Sequence, residues 1–248
     1  MMHLSPDTPS VDAYIDSVSD PDAGLVLPAV RYGDVSPYSS VPAGTYTVSA
    51  RAAGADPASP PVLATTVTVA AGTATTIAGV GAFADLGFEV LSDDLTLPPA
   101  GESRARVVNA ATTGSPLGLA LGNRTLAADL AFAASSGYVD VPGGPGDLTV
   151  TQASGEPTQL PVTLDAGSVY TVLVLDRSGG GLTVTTALDA ASPGVVPVGG
   201  VEAGAGGAGG AGLPPGRLLL AGLAVAALLL TVRVRLSRGG RPARHAAR

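Results

Sequence analysis

The chain contains no cysteine, no lysine and no tryptophan among its 248 residues. Without cysteine it can form no disulfide, and it has no thiolate for catalysis or metal binding. Only 4% of its residues are aromatic and 13% are charged, whereas about 25% charged is typical of soluble domains. Nucleic-acid binding requires clustered cations, and carbohydrate-binding platforms use exposed aromatic rings. The composition therefore argues against both, and no nucleic-acid partner is predicted.

The residues that are abundant indicate β-structure. The chain has 34 Gly and 21 Pro, and its Thr and Val residues occur in short alternating runs. Such runs, separated by turn signals every eight to twelve residues, are typical of β-sandwiches. No segment before residue 213 has a convincing apolar period of 3.6 residues. The sequence therefore predicts an all-β fold.

The charges are divided unevenly along the chain. Residues 1–216 contain all 20 acidic side chains and six Arg, whereas residues 217–248 contain seven Arg and no acidic residue. Such a division between segments indicates two different environments.

The basic segment begins with an apolar run from Leu218 to Val232. Extended from Pro215 to Leu236, a helix would be about 33 Å long, enough to cross a bilayer. We therefore predict a transmembrane helix at 215–236, with the lipid bilayer as its partner, although the short run alone would also suit a buried core helix. Six Arg after Val232 predict a cytoplasmic tail at 237–248 and an extracellular location for residues 1–216.

Two similar sequence segments indicate an internal repeat. "SSVPAGTYTV" begins at Ser39 and "VDVPGGPGDLTV" at Val139, and flanking apolar positions keep an offset of 100. Later segments align at an offset of 95, and the start of the chain aligns with residues 107–111 at an offset of 106. The sequence predicts two β-sandwich units at residues 1–92 and 103–190. A linker is predicted at 93–102 and a stalk at 191–214. Equivalent aromatic residues are predicted to be core residues: Tyr32, Tyr38, Phe132 and Tyr138.

The first unit resembles a known bacterial family. The segments "MHLSPDTPSVDAYID", "VRYGDVSPYSSVPAGTYTVSAR" and "VAAGTATTIAGVG" are similar to domain of unknown function 4397. Residues 2–80 match closely, and 105–190 match as a second, diverged copy. This copy has "ATTGSPLGLALGN" in place of the acidic segment "SPDTPSVDAYID". The resemblance implies an exported, immunoglobulin-like or transthyretin-like β-domain on a bacterial surface. The family has no established activity, so the resemblance implies architecture and location only.

The N-terminus lacks the expected export signal. "MMHLSPDTPS" contains neither a charged leader nor an apolar region. The second unit begins with "ESRARVVNA", in which Val107 and Val108 align with Met1 and Met2. We therefore expect the first strand of unit one to be truncated, and a signal sequence to be encoded upstream of Met1. The alternative is a tail-anchored protein with both domains in the cytoplasm.

Two groups of residues have the chemistry of functional sites. Oxygen-rich loops can bind Ca²⁺, and residues 5–24 contain five aspartates, Asp7, Asp12, Asp16, Asp20 and Asp22; the alternative is a solvated turn. His3, Ser5 and Asp7 include the residue types of a catalytic triad, but strand alternation does not bring them together. Because Asn109 replaces His3 in the second unit, a structural hydrogen bond is expected. No catalytic, cofactor-binding or metal-binding residue is predicted.

These observations favour a non-enzymatic, membrane-anchored surface protein. Its two β-sandwich domains would serve adhesion or binding to a partner or the cell envelope, with no cofactor. The alternatives are an accessory binding subunit of an envelope hydrolase, and a regulator whose Arg-rich tail contacts a cytoplasmic partner.

Overall fold

A computed structural model describes residues 1–20, 22–153 and 155–193, and this part of the chain is all β. It contains fifteen strands, and a 3-10 turn at Phe83–Asp85 is the one helical segment in these ranges. None of the helical structure described there is long and apolar enough to cross a bilayer. The predicted transmembrane helix at 215–236, the tail at 237–248 and most of the stalk lie outside the described residues.

The first half, residues 1–93, forms two sheets. Inner sheet 1 has the strand order β1-β6-β7, and outer sheet 1 has the order β3-β2-β4-β5. The strands are β1 (Met2–His3), β2 (Val11–Ser17), β3 (Gly24–Val30), β4 (Gly44–Ala52), β5 (Leu63–Val69), β6 (Ala74–Val80) and β7 (Gly87–Asp93).

The second half, residues 102–191, also forms two sheets. Inner sheet 2 has the order β11-β8-β14-β15, and outer sheet 2 has the order β10-β9-β12-β13. The strands are β8 (Glu102–Asn109), β9 (Leu117–Leu121), β10 (Arg124–Leu130), β11 (Val139–Pro142), β12 (Gly144–Gln152), β13 (Thr158–Leu164), β14 (Ser168–Asp176) and β15 (Leu182–Ala191).

The two halves repeat the same backbone pairing. Met2 pairs with Ala78 in a parallel ladder, and Val108 pairs with Leu173 in the same way. Four further backbone hydrogen bonds occur twice at the offsets seen in the sequence. The first-half bonds are His3 N to Asp34 O, Gly33 N to His3 O, Leu4 N to Gly79 O and Ser36 N to Met1 O. Their second-half equivalents, in the same order, are Asn109 N to Ala134 O, Ala133 N to Asn109 O, Ala110 N to Val174 O and Ser136 N to Val107 O.

The two hydrophobic cores differ in size. The core of the second half contains eighteen buried residues from both of its sheets, among them Leu119, Val150 and Val174. The core of the first half contains three, Val48, Val67 and Ile77. Small residues explain part of the difference. In the first half, Ala13, Ala50 and Gly79 occupy the register positions that Leu119, Val150 and Val174 occupy in the second half.

The inner sheets pack against each other, and a third cluster of buried side chains joins them. Met2 and Leu4 from the first half meet Val108 and Ala110 from the second, which are their repeat equivalents. Ala78 and Val80 likewise meet their equivalents Leu173 and Leu175. Nearly the same face of each half therefore forms both sides of this contact.

Strand β14 is covered on both faces, which explains its continuous apolar sequence. Its residues from Ser168 to Leu175 are all buried. Tyr170 and Val172 face the core of the second half, and Leu173 faces the first half. The strand lies between β8 and β15 in inner sheet 2, so its edges are paired as well as its faces covered.

The expected burial of the repeated aromatic residues is wrong. Tyr38 is 42% exposed, and Tyr32, Phe132 and Tyr138 are only partly buried. Tyr32 instead bridges the halves, because its hydroxyl donates to Ala110 O at 2.7 Å and accepts from Asp176 N at 2.9 Å. The hydroxyls of Tyr38 and Tyr138 likewise bond to carboxylates, those of Asp93 and Asp189, so these rings are held at the polar margin of the core rather than inside it.

Candidate functional site: a buried polar cluster between the halves

His3 has a structural role at the end of β1. It is 5% exposed. Ser5 N donates to His3 Nδ1 at 3.3 Å, and His3 Nε2 lies 3.4 Å from Pro9 O. Both ring nitrogens therefore lie within hydrogen-bonding distance of backbone groups a few residues away. The Asn109 side chain repeats the arrangement, since Ala111 N donates to its Oδ1 at 3.0 Å.

Ser5 and Asp7 do not extend His3 into a catalytic triad. The Ser5 hydroxyl lies 2.6 Å from Thr8 Oγ1 and 3.3 Å from Asp7 Oδ1. Asp7 also accepts from Phe83 N at 2.9 Å. No side-chain hydrogen bond joins the Ser5 hydroxyl to the His3 ring in the described residues, so the arrangement supplies no activated nucleophile.

The aspartates of residues 5–24 are distributed around the fold. Asp12 is 9% exposed and accepts from Ala29 N at 2.7 Å and Gly54 N at 2.8 Å. Asp20 accepts from the backbone of Asp22 in an exposed turn. Among residues 1–20, 22–153 and 155–193, no three His, Asp or Glu side chains are grouped so that they could hold a metal ion.

Asp12 stabilises an irregular position in β3. Ala29 has a φ of +52°, a conformation that is unfavourable for residues with a Cβ. The β2–β3 register also shifts between Val11 and Ala13. Hydrogen bonds from Ala29 N and Gly54 N lower the pKa of the Asp12 carboxyl below its usual 3.8. The buried carboxylate therefore fastens this bulge to the turn after β4.

The largest polar cluster lies between the inner sheets, and it too is duplicated. On the first half, Asp93 Oδ2 accepts from Tyr38 Oη and Thr76 Oγ1, both at 2.6 Å. On the second half, Asp189 Oδ2 accepts from Tyr138 Oη at 3.1 Å and Thr171 Oγ1 at 2.7 Å.

Arg106 of β8 joins the two parts of the cluster. Its Nη1 lies 2.7 Å from Asp93 Oδ1, and the side chains of the pair are 2% and 0% exposed. Its Nε donates to Thr171 Oγ1 at 2.9 Å, and its Nη2 lies 3.5 Å from Thr76 Oγ1. Its guanidinium also lies 5.0 Å from the centre of the Tyr138 ring. One buried cation thus contacts groups from both halves.

Burial determines the electrostatics of this cluster. Desolvation raises the pKa of the Asp189 carboxyl, and the hydrogen bond from Thr171 and the charge of Arg106 offset part of that effect. Burial also raises the pKa of the Tyr38 and Tyr138 hydroxyls above their usual 10.0. Both phenols therefore remain neutral donors at physiological pH.

The cluster surrounds its charged groups with hydrogen-bond donors from both halves. Each carboxylate receives a tyrosine and a threonine hydroxyl, and the guanidinium contacts both threonines. Removing one partner of the buried Arg106–Asp93 pair is costly, because the other partner is left as a charge with neither a counter-ion nor water around it. The arrangement is therefore suited to holding the halves in one relative position.

The sequence predictions missed this cluster. Asp93 was assigned to the linker, and Arg106 and Asp189 were not singled out. A charged residue between Ala105 and Val107 was a usable signal, because an arginine within an apolar strand needs a buried partner. The partner is distant in sequence, so the pairing itself was not predictable.

Residues 1–120 match the family model described as "Domain of unknown function (DUF4397)". The matched range covers the first half and extends through most of β9, so the family match includes Arg106 and Asp93. The assignment of residues 105–190 to a second copy of the family remains a prediction. No curated protein matches the chain.

Proposed function

Because the chain carries a DUF4397 domain, we propose that it is a non-enzymatic surface protein of a bacterial cell, anchored by the helix at 215–236. The two β-sandwich units would be presented outside the membrane as one braced body for adhesion or for binding a partner or the cell envelope. The immunoglobulin-like or transthyretin-like architecture is part of this proposal.

One observation carries the proposed location. All 20 acidic residues precede the apolar run at 218–232, and six Arg follow it. Basic flanks are retained in the cytoplasm, so this order favours an extracellular position for residues 1–193.

The polar cluster supports the non-enzymatic part of the proposal. Arg106 and Asp93 are almost fully buried, and His3 bonds to its own backbone neighbourhood. Catalytic groups need access to a substrate. These side chains instead contribute to the packing of the halves, which is what a binding module requires of its scaffold.

The location is tested by protease digestion of intact cells. The reading frame, with its upstream sequence and an epitope tag after Arg248, is expressed, and protease is added outside. We expect loss of the β-halves and retention of a small tagged fragment. A variant with the six Arg after Val232 replaced by Gln is the matched control, because it should lose the uniform orientation. Protection of the β-halves in the unmodified protein would instead support the tail-anchored alternative.

A further inference from the structure

Strand β15 is the longest of the fifteen described strands, with ten residues. At about 3.3 Å per residue it extends over about 33 Å. Leu182 pairs with Asp176 of β14 at one end of the antiparallel ladder, and Ala191 pairs with Ser168 at the other. We call the first the far end and the second the near end, because the proposed anchor follows Ala191 in the sequence.

Glu156 lies at the far end. It is exposed and belongs to the turn between β12 and β13. The Gln152 side chain, just before this turn, lies against Gly114. Thr113, next to Gly114, donates its backbone N–H to Asp176 at 3.1 Å. The turn is therefore at the Asp176 end of the β14–β15 ladder.

Asn123 lies toward the near end. Strand β9 begins with Leu117, which pairs with Gln152, and it ends with Leu121, which pairs with Leu148. β9 therefore runs away from the far end, and the β9–β10 turn that holds the exposed Asn123 follows it.

Strand β14 is a fixed support for β15. It pairs with β8 through residues 169–174 and with β15 through residues 168–176. Its residues from Ser168 to Leu175 are buried, and Tyr170 and Val174 belong to the core of the second half. Because protein interiors are close-packed, β14 can move only if that core is disrupted.

Further hydrogen bonds hold β15 at the near end, where the chain leaves the ladder. Ser192 N and Ser192 Oγ both donate to Gly167 O at 2.9 Å. Asp189 accepts from Thr171 Oγ1 of β14 at 2.7 Å and from Tyr138 Oη at 3.1 Å. Side chains therefore hold the last residues of β15 in addition to the backbone ladder.

The direction of a pull determines how such a ladder fails. Hydrogen bonds between antiparallel strands are perpendicular to the strands. A force along β15 therefore loads all of these bonds together, in shear. A force across β15 loads only the pair at its end, and the pairs then open one after another.

We infer that β15 is the force-bearing strand of this protein. A partner bound at the far end and an anchor beyond Ser192 pull in opposite directions along β15, and the β14–β15 ladder resists that pull in shear. This role rests on the proposed function, because the partner and the anchor supply the two opposing forces.

The backbone pattern identifies an amide of β15 that bonds to β14. Arg177 N donates to Gly181 O at 3.0 Å, and in an antiparallel ladder this orientation recurs at every second pair. The register is unbroken from there to the middle of β15. Thr185 N therefore points to Leu173 of β14. Thr186 N points to the free edge, because β15 is the last strand in the order of inner sheet 2.

Single-molecule pulling on the full chain in detergent micelles tests this role. Because the chain contains no cysteine, one introduced cysteine provides one tether, and a tag after Arg248 provides the other. Glu156→Cys directs the force along β15, and Asn123→Cys directs it across β15. Unfolding of the second half is recognised by the chain that it releases, about 3.5 Å for each residue between the cysteine and Ser192.

At the same pulling rate, we expect a higher mean unfolding force for Glu156→Cys than for Asn123→Cys. Both cysteines replace exposed residues, so the two proteins should have the same unfolding free energy in urea, and only the direction of the force differs. An equal or lower force for Glu156→Cys would overturn the proposal.

Two proline variants of the Glu156→Cys protein show whether the ladder provides the resistance. Thr185→Pro removes a hydrogen bond to β14 and should lower the unfolding force. Thr186→Pro removes an N–H at the free edge, where proline is tolerated, and should leave the force nearly unchanged. Equal forces for the two variants would also overturn the proposal. If Thr185→Pro does not fold, the comparison of the two tethers still decides.

The instrument applies the force, so the result does not depend on where the protein lies in a cell. The protease experiment can therefore fail without changing it, and a failure here leaves the proposed location standing.

Discussion

At the scale of single residues, Gly79 marks a place where the first half is underpacked. A cavity of about 20 Å³ adjoins it, with Met2, Ala13, Ala50 and Phe88 among its lining residues. A Cβ at Gly79 would lie 3.8 Å from Met2 O and 3.9 Å from the Phe88 ring, which is ordinary contact. Gly79→Ala should therefore raise the free energy of unfolding by about 0.5–1 kcal/mol, because glycine loses more entropy in a strand than alanine. Urea denaturation measures this.

Gly81 provides the matched control for Gly79. It has a φ of +96°, and a Cβ there would lie 2.6 Å from Asp85 O. Gly81→Ala should destabilise the protein, since both the backbone and the space oppose a side chain. If the two variants had the same unfolding free energy, the cavity argument would be wrong.

Asp12 should make the stability of the first half sensitive to acid. Its two backbone hydrogen bonds lower the pKa of the carboxyl below 3.8. Its stabilisation is therefore complete above pH 3.8 and is lost as the pH falls through the lower pKa of the folded state. Asp12→Asn should have a lower thermal midpoint than the unmodified protein at pH 7, and the difference should shrink below pH 3.8. Thermal unfolding followed by circular dichroism at pH 7 and pH 3 tests this, and a constant difference would contradict it.

Individual residues were predictable where their partners were local. The structural role of His3 followed from its replacement by Asn109, and both side chains accept a backbone N–H two residues on. Asp12 counts as a possible calcium ligand in the sequence analysis because a carboxylate is a ligand type that Ca²⁺ binds. The sequence does not indicate that its actual partners are the backbone N–H groups of Ala29 and Gly54. Pairing over such distances depends on the tertiary fold, which residue patterns do not encode locally.

At the scale of strands, Arg106 is the side chain that links β8 to the other half. Arg106→Ala leaves Asp93 buried without its cation and should cost about 3–5 kcal/mol. Arg104→Ala is the control on the same strand. Its partners Asp94 and Asp140 have side chains 53% and 30% exposed, so its cost should be below about 1 kcal/mol. Chemical denaturation of both variants measures the contrast.

A double variant separates this ion pair from general packing. Arg106→Met combined with Asp93→Leu removes both charges, and it should be more stable than Arg106→Met alone. If the double variant were the less stable of the two, Asp93 would owe its stabilising effect to the hydroxyl groups of Tyr38 and Thr76.

At the scale of the whole molecule, Asp189 should control how the joined halves respond to pH. Burial raises the pKa of its carboxyl, so its ionised form costs stability above the folded-state pKa, and this cost disappears below the ordinary value of 3.8. Asp189→Asn should therefore raise the thermal midpoint at pH 7 and approach the unmodified protein at pH 3. A lower midpoint for this variant at pH 7 would show that attraction to Arg106 outweighs desolvation.

The all-β fold was largely predictable, because strand alternation and turn signals are local properties of the sequence. The contact between the halves was not predicted. Its apolar residues, such as Val108 and Leu173, lie on strands whose other face also needs a core, and a strand apolar on both faces does not reveal what covers each one. Three-dimensional pairing was needed to assign the second face.

The face-to-face contact has a consequence for assembly. Each half contributes nearly the same surface, since Met2 and Ala78 share one cluster with their equivalents Val108 and Leu173, as in a symmetric dimer. Separate chains with such a contact come apart on dilution. Here residues 94–101 tether the two surfaces, and a short tether maintains a local concentration of the order of millimolar. A single isolated molecule therefore assembles as completely as one in a concentrated solution.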